Sequence, residues 1–182
     1  KTYLTADRLL EDSYRLANLI IDSGFRPSHI VGIWRGGAPV GIAVQELLAY
    51  HGIEADHIAI RTSSYTGIDE AREVRVYALG YLVDTLGPED RLLVIDDVFD
   101  SGRSIEAFLR ELATRCRHNM PGTVRIATAY FKPSRNKTAL RPDYFVHETE
   151  DWLVFPHEIC GLTREEIAAH KPGAGLILRE GA

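Results

Sequence analysis

The chain of 182 residues has only two cysteines, one methionine and two tryptophans. Cys116 and Cys160 lie far apart and neither belongs to a metal-ligand spacing, which excludes a disulfide framework or a cysteine metal site as the organising feature. Long apolar runs are missing too. Stretches such as Leu92 to Ile95 are far shorter than the roughly 20 residues a spanning helix needs, and the N-terminus has no basic segment leading into an apolar core. The protein is therefore expected to be cytoplasmic, without a membrane partner. A formal charge of -5 with no long basic run argues against nucleic acid as the main partner, because that role demands a concentrated positive stripe. Internal repeats and low-complexity linkers are absent. A composition that is 45% hydrophobic and 26% charged fits one globular domain over residues 1–182.

The apolar periodicity reads as alternating strands and helices. Thr5 is placed to cap a helix whose stripe is Leu9, Leu16 and Ile20, widened by Leu10, Ala17 and Ile21 and ended by Gly24. His29 to Trp34 predicts a buried strand, Arg35-Gly36-Gly37 a turn, and Pro39 the opening of a second helix with Val40, Val44, Leu47 and Leu48 on one face. His57 to Arg61 and Val74 to Leu79 read as extended, and the polar stretch Thr62 to Glu73 between them, which has no clear period, reads as a mobile loop. Arg91 to Ile95 is a third aliphatic strand, followed by a helix with Ile105, Phe108, Leu109, Leu112 and Cys116 on one face. Val124 to Phe131 and Asp143 to Val146 add strands, and Thr163 caps a short late helix before Pro172. This order predicts an α/β fold with a mostly parallel sheet flanked by helices, and ligand sites beyond the carboxyl ends of the strands.

The segment Leu92 to Ser104 carries the most chemistry. An aliphatic strand delivers three carboxylates, Asp96, Asp97 and Asp100, and a Ser101-Gly102-Arg103-Ser104 turn to the start of a helix. Backbone amides around Gly102, the two serine hydroxyls and the positive end of the helix dipole together suit a phosphate dianion. Ionised Asp96 and Asp97 only accept hydrogen bonds, which suits the vicinal hydroxyls of a ribose or a magnesium ion that shares them. A Walker A loop is excluded, since the sequence has no Gly-Lys-Ser/Thr run. The Asp-Asp-x-x-Asp spacing also occurs in prenyl-chain synthases, but there the aspartates resemble helix residues, whereas here they end a strand.

Val94-Ile95-Asp96-Asp97-Val98-Phe99-Asp100-Ser101-Gly102-Arg103-Ser104 closely resembles the 5-phosphoribosyl-1-pyrophosphate (PRPP) signature of type I phosphoribosyltransferases. The resemblance implies that Asp96 and Asp97 contact the ribose hydroxyls and magnesium, that Asp100 to Ser104 wrap the 5-phosphate, and that Asp100 lies near the incoming base as a candidate general base. Trp34-Arg35-Gly36-Gly37 resembles the family's pyrophosphate loop, which implies a cis peptide between Trp34 and Arg35 and a pyrophosphate contact from Arg35, Gly36 and Gly37. Arginine is well suited to that forked contact. Ser64-Tyr65 resembles a Ser-Tyr pair in the lid of purine enzymes that closes on the pyrophosphate. The order of Lys132, Trp152 and Leu153 resembles the purine-binding part of hypoxanthine, guanine and xanthine phosphoribosyltransferases, with the lysine donating to the purine 6-oxo group, the indole stacking on the base and the Leu153 backbone reading its edge. A lysine has donors only and so favours an oxo over an amino group. Glu158 resembles an acidic residue near a second magnesium ion. A small hood over the base site and a homodimer or higher homo-oligomer are also implied.

Two features depart from the purine pattern. Arg103 stands where many relatives carry lysine, and Val154 and Phe155 offer no polar reader for the purine C2 region, so the choice among hypoxanthine, xanthine and guanine stays open. Within the resemblance, an orotate or uracil enzyme is the nearest rival, although neither accounts for Lys132 with Trp152 as directly. A rival of another class is a non-catalytic PRPP sensor of the same fold. A sensor would be expected to carry a basic face or a DNA-binding segment, and the sequence shows neither.

Overall fold

The computed structural model describes residues 1–66 and 72–179, with the backbone only for 64–66, 72 and 73. Its elements are β1 (Thr2–Tyr3), α1 (Ala6–Asp22), β2 (His29–Trp34), α2 (Gly37–Tyr50), β3 (Asp56–Thr66), β4 (Arg72–Tyr77), α3 (Gly80–Thr85), β5 (Arg91–Phe99), α4 (Arg103–Cys116), β6 (Thr123–Phe131), β7 (Tyr144–Glu148), β8 (Leu153–Val154), α5 (Arg164–His170) and α6 (Ala174–Ile177). The chain forms two compact units, one of residues 10–150 and one of residues 1–9 with 151–182.

The larger unit is built on a six-stranded sheet in the order β4-β3-β2-β5-β6-β7. All of its pairings are parallel except β3 with β4. This is the mixed α/β, mostly parallel sheet flanked by helices that the strand and helix periodicity predicts. Strands Leu92–Ile95 and Ile30–Ile33 are buried throughout, as expected of parallel strands covered on both faces, which explains why they read as unbroken aliphatic runs. One core gathers Val31, Ile60, Val94 and Ile126 from the sheet with Phe108 and Leu112 from α4 and Leu82 from α3. The chain leaves β2 toward β3 on one side and leaves β5 toward β6 on the other. The loops after β2 and β5 therefore flank the point where strand order reverses, which is where open α/β sheets bind ligands.

Helix α1 starts as the capping pattern requires, with the Arg8 backbone N–H donating to Thr5 Oγ1 at 3.1 Å. Leu9, Leu16, Ala17 and Ile20 are buried, whereas Leu10 is 44% exposed and lies outside the apolar stripe. Two segments differ from the sequence expectation. The polar stretch from Thr62 is not a loop through its whole length, because β3 continues to Thr66 and pairs antiparallel with β4, Thr62 opposite Val76 and Ser63 opposite Arg75. Cross-strand pairing, not apolar alternation, makes this segment extended; residues 67–71 lie outside the description. Strand β5 also runs past Ile95 to Phe99, so the acidic pair belongs to the strand and is held in register, with Asp96 opposite Thr128 on β6.

In the smaller unit β1 pairs parallel with β8, Thr2 opposite Leu153 and Tyr3 opposite Val154. Helix α5 begins with a capping box in which Thr163 accepts from the Glu166 N–H and Glu166 accepts from the Thr163 N–H. Buried Lys171 donates to the Phe155 carbonyl at 2.7 Å. No helix among the described residues is long and apolar enough to cross a membrane.

Candidate active site

The two loops at the sheet reversal interlock. The peptide bond between Trp34 and Arg35 is cis, and Arg35 is exposed at the turn that leads into α2. Gly36 has an ordinary helical backbone (φ -65°, ψ -35°), so glycine is not required there by conformation. It is required by space, since a Cβ at Gly36 would lie 2.0 Å from Asp97 Oδ2 and 2.3 Å from its Cγ. Gly37 approaches the acidic strand just as closely, and a Cβ there would lie 2.4 Å from the Ile95 carbonyl oxygen. The Gly37 backbone N–H lies against the Asp96 carboxylate and favours its charged form, though less than burial opposes it. Both acidic side chains thus brace the turn after β2.

Asp97 is 7% exposed, and its Oδ1 accepts from the Val98 N–H at 2.7 Å. Asp96 Oδ1 accepts from the Asp97 N–H at 3.0 Å. Burial, reinforced by the adjacent Asp97 charge, pushes the Asp96 carboxyl well above the usual carboxylate range. Such a pair gains from a cation or from hydroxyl donors that would relieve its mutual repulsion. Its donor set consists of hard oxygens only, which fits a magnesium ion that keeps several waters and shares ligands with a phosphorylated substrate. Among the described residues no three His, Cys, Asp or Glu side chains converge as a metal group.

The turn after β5 has the form of an anion cradle. Gly102 caps α4 in a left-handed conformation (φ 76°), and a Cβ there would lie 2.6 Å from Thr138 Oγ1 and 2.7 Å from the Phe99 ring, so both conformation and space demand glycine. The 14-residue helix α4 directs its first-turn amides at this turn, where the Arg103 N–H donates to Ser101 Oγ at 3.5 Å. Asp100, Ser101, Arg103 and Ser104 line a cavity of about 420 Å³ together with Val74, Ser134, Arg135 and Lys137. Asp96, Val98, Asp100, Gly102 and Ser104 line a smaller adjoining space of about 70 Å³.

Lys132 follows β6, is 5% exposed, and places Nζ 3.9 Å from Asp100 Oδ2. The other Asp100 oxygen, Oδ1, accepts from Arg135 Nε at 2.7 Å. The structure thus brings together Arg35, Gly36 and Gly37 with Asp96 and Asp97, and Asp100 to Ser104 with Lys132. Of Ser64 and Tyr65 only the backbone is described, in β3 opposite Val74 and Glu73, and their side chains lie outside the described residues. Trp152, Leu153 and Glu158 belong to the smaller unit. Trp152 is 68% exposed with Lys1 Nζ 5.8 Å from its ring centre, and Leu153 is buried in β8. Glu158 Oε2 accepts from the Phe155 N–H at 2.9 Å. Arg135, Ser134 and Lys137 are absent from the sequence reading. The signal present was a run of polar and basic residues, Lys132-Pro133-Ser134-Arg135, directly after an apolar strand.

The phosphoribosyl transferase domain family matches residues 1–161, and the chain belongs to it. The chain is a phosphoribosyltransferase with the type I fold. Among solved structures it is similar to a purine phosphoribosyltransferase from Pyrococcus horikoshii at 24% identity, covering 89% of this chain and 97% of that one, with a TM-score of 0.68. It is also similar to a xanthine-guanine-hypoxanthine phosphoribosyltransferase from Helicobacter pylori (21% identity, 85% and 91% coverage, TM-score 0.63). A hypothetical protein from Neisseria gonorrhoeae with bound ppGpp is similar at 20% identity, with 88% and 92% coverage and a TM-score of 0.67. Comparison with curated proteins gives no match.

Proposed function

We propose that the chain transfers the phosphoribosyl group of PRPP to a 6-oxopurine, hypoxanthine, guanine or xanthine, with release of pyrophosphate, and that it serves purine salvage. The observation that carries the base class is Lys132, a nearly buried ammonium within 3.9 Å of the Asp100 carboxylate at the edge of the phosphate turn. A lysine at the base offers only donors, which match an exocyclic oxygen and oppose an amino group, so adenine is disfavoured. The purine and xanthine-guanine-hypoxanthine enzymes among the structural neighbours support the same class.

In this reading Ser101, Gly102, Arg103 and Ser104 hold the 5-phosphate through hydroxyls and helix amides. Arg35 and the amides at Gly36 and Gly37 receive the pyrophosphate, with Ser64 and Tyr65 assigned to the lid. Asp96 and Asp97 accept from the ribose hydroxyls, and Asp97 also fixes the turn that meets the leaving group. Bound magnesium supplies charge neutralisation of the departing pyrophosphate, with Asp96 and Asp97 as its carboxylates and Glu158 assigned by resemblance to a second ion. As the C1–pyrophosphate bond breaks and the purine nitrogen bonds to C1, Asp100 is suited to take the proton from the purine ring. Trp152 and Leu153 keep the base-contact roles that the resemblance assigns them; stacking of this kind contributes roughly 1–3 kcal/mol per base.

Steady-state kinetics on two variants test the assignment. Asp100→Asn is expected to lower kcat by about 10²–10⁴, the usual contribution of a general base. Lys132→Met is expected to raise the KM for hypoxanthine more than that for PRPP. A Lys132→Met enzyme that treats hypoxanthine as the wild type does would refute the base assignment.

A further inference from the structure

The sequence motifs leave Arg135 without a role, yet it joins the phosphate turn from a separate part of the chain. It stands in the turn Pro133–Arg135 after β6, and three contacts bind this segment to the β5 end: the Lys132 N–H on the Phe99 carbonyl, the Lys137 N–H on the Ser101 carbonyl, and Thr138 Oγ1 packed over Gly102. Ser134 is anchored in turn, its N–H donating to Glu150 Oε1 at 3.0 Å. The backbone on which Arg135 is mounted is therefore fixed to the phosphate turn.

We propose that Arg135 is a phosphate-specificity residue, bridging the Asp100 carboxylate and the phosphate monoester of a sugar-phosphate ligand. Its Nε donates to Asp100 Oδ1 at 2.7 Å, while its terminal nitrogens make no hydrogen bond among the described residues. With a side chain 58% exposed beside one that is 35% exposed, the pair contributes little to folding, so stability does not explain its geometry. Electrostatics does. Asp100 lines the same cavity as the phosphate turn, and a carboxylate facing a phosphate dianion repels it. A guanidinium anchored through Nε to that carboxylate neutralises it and still presents a two-nitrogen fork to the phosphate. With Arg103 and Lys137 in the same wall, the described lining of the cavity sets three cations against one carboxylate. The chemical class recognised is a phosphate monoester on a pentose, and identifying that ligand as substrate rests on the transferase reading.

Calorimetry of ribose 5-phosphate and, separately, of magnesium pyrophosphate tests the role in wild type, Arg135→Gln and Arg135→Lys. Arg135→Gln is expected to keep the wild-type melting temperature and to weaken ribose 5-phosphate about ten- to hundredfold, as for the loss of one charge-assisted contact, while leaving pyrophosphate unchanged. Arg135→Lys restores the charge without the fork and is expected to fall between them. Arg135→Gln binding ribose 5-phosphate within twofold of wild type, or losing both ligands equally, overturns the proposal. An Arg135-dependent ribose 5-phosphate affinity in a protein that makes no nucleotide from any 6-oxopurine would uphold it while sinking the proposed base class.

Discussion

Substituting Gly36 by alanine tests the interlock of the two loops. The added methyl would lie 2.0 Å from Asp97 Oδ2, and ordinary contact begins near 3.4 Å, so one of the two groups must retreat by about 1.4 Å. The backbone of Gly36 suits alanine, so the cost is steric alone. The obvious retreat is rotation of Asp97, which is 7% exposed and loses its 2.7 Å bond from the Val98 N–H when it turns. Overpacking typically costs about 1–3 kcal/mol, and a hydrogen bond to a charged group contributes about 1.5–3 kcal/mol. A loss of about 3–5 kcal/mol follows, enough to lower the melting temperature by about 10 °C without unfolding a chain of ordinary stability. Pyrophosphate affinity should fall with it, since the amides at the turn move. The decisive assay is a double-mutant cycle by urea denaturation: with Asp97→Ala already present the methyl has room, and the cost of Gly36→Ala should drop below about 1 kcal/mol. An equal cost in both backgrounds would show that Asp97 does not set the need for glycine.

Asp96 gives a pH signature. Its folded carboxyl stays protonated well above the value near 4 at which the unfolded chain releases its proton, so stability is greatest below that value and declines as pH rises toward the folded pKa. Asp96→Asn removes this decline and should raise the melting temperature at pH 7 relative to wild type while weakening magnesium-PRPP binding; a difference that is constant from pH 4 to 7 would contradict it. Asp12 has the opposite sign. Burial raises its pKa, but bonds from His147 Nε2 (2.9 Å), Tyr130 Oη (2.8 Å) and Arg15 Nη1 (2.6 Å) outweigh this and lower it. Its stabilisation is thus present above the unfolded value near 4 and is lost as pH falls through the folded pKa. Asp12→Ala should cost about 3 kcal/mol in urea denaturation at pH 7, with the gap to wild type narrowing below pH 4; a gap that widens in acid would contradict this account.

The parts of the site that sequence revealed are local. Thirteen consecutive residues from Leu92 to Ser104 carry a strand, an acidic pair and a phosphate turn, and each can be read from neighbours in the chain. The β3–β4 ladder was not legible, because Thr62 and Ser63 are extended through pairing with Val76 and Arg75 and show no apolar alternation. Helix α3 has six residues, too few to establish a period. The Arg135 contact with Asp100 spans 35 residues and β1 meets β8 across some 150; no window along the chain encodes either. The space that makes Gly36 necessary is likewise set by a side chain 61 positions away, so the sequence showed a glycine turn without the carboxylate that demands it.

Turnover with PRPP and magnesium against hypoxanthine, guanine, xanthine, adenine, orotate and uracil, followed as nucleotide and pyrophosphate, tests the central assignment most directly. The account predicts nucleotide from at least one 6-oxopurine and little or none from adenine. Efficient product from adenine, orotate or uracil alone, or PRPP binding with no product from any base, would contradict it.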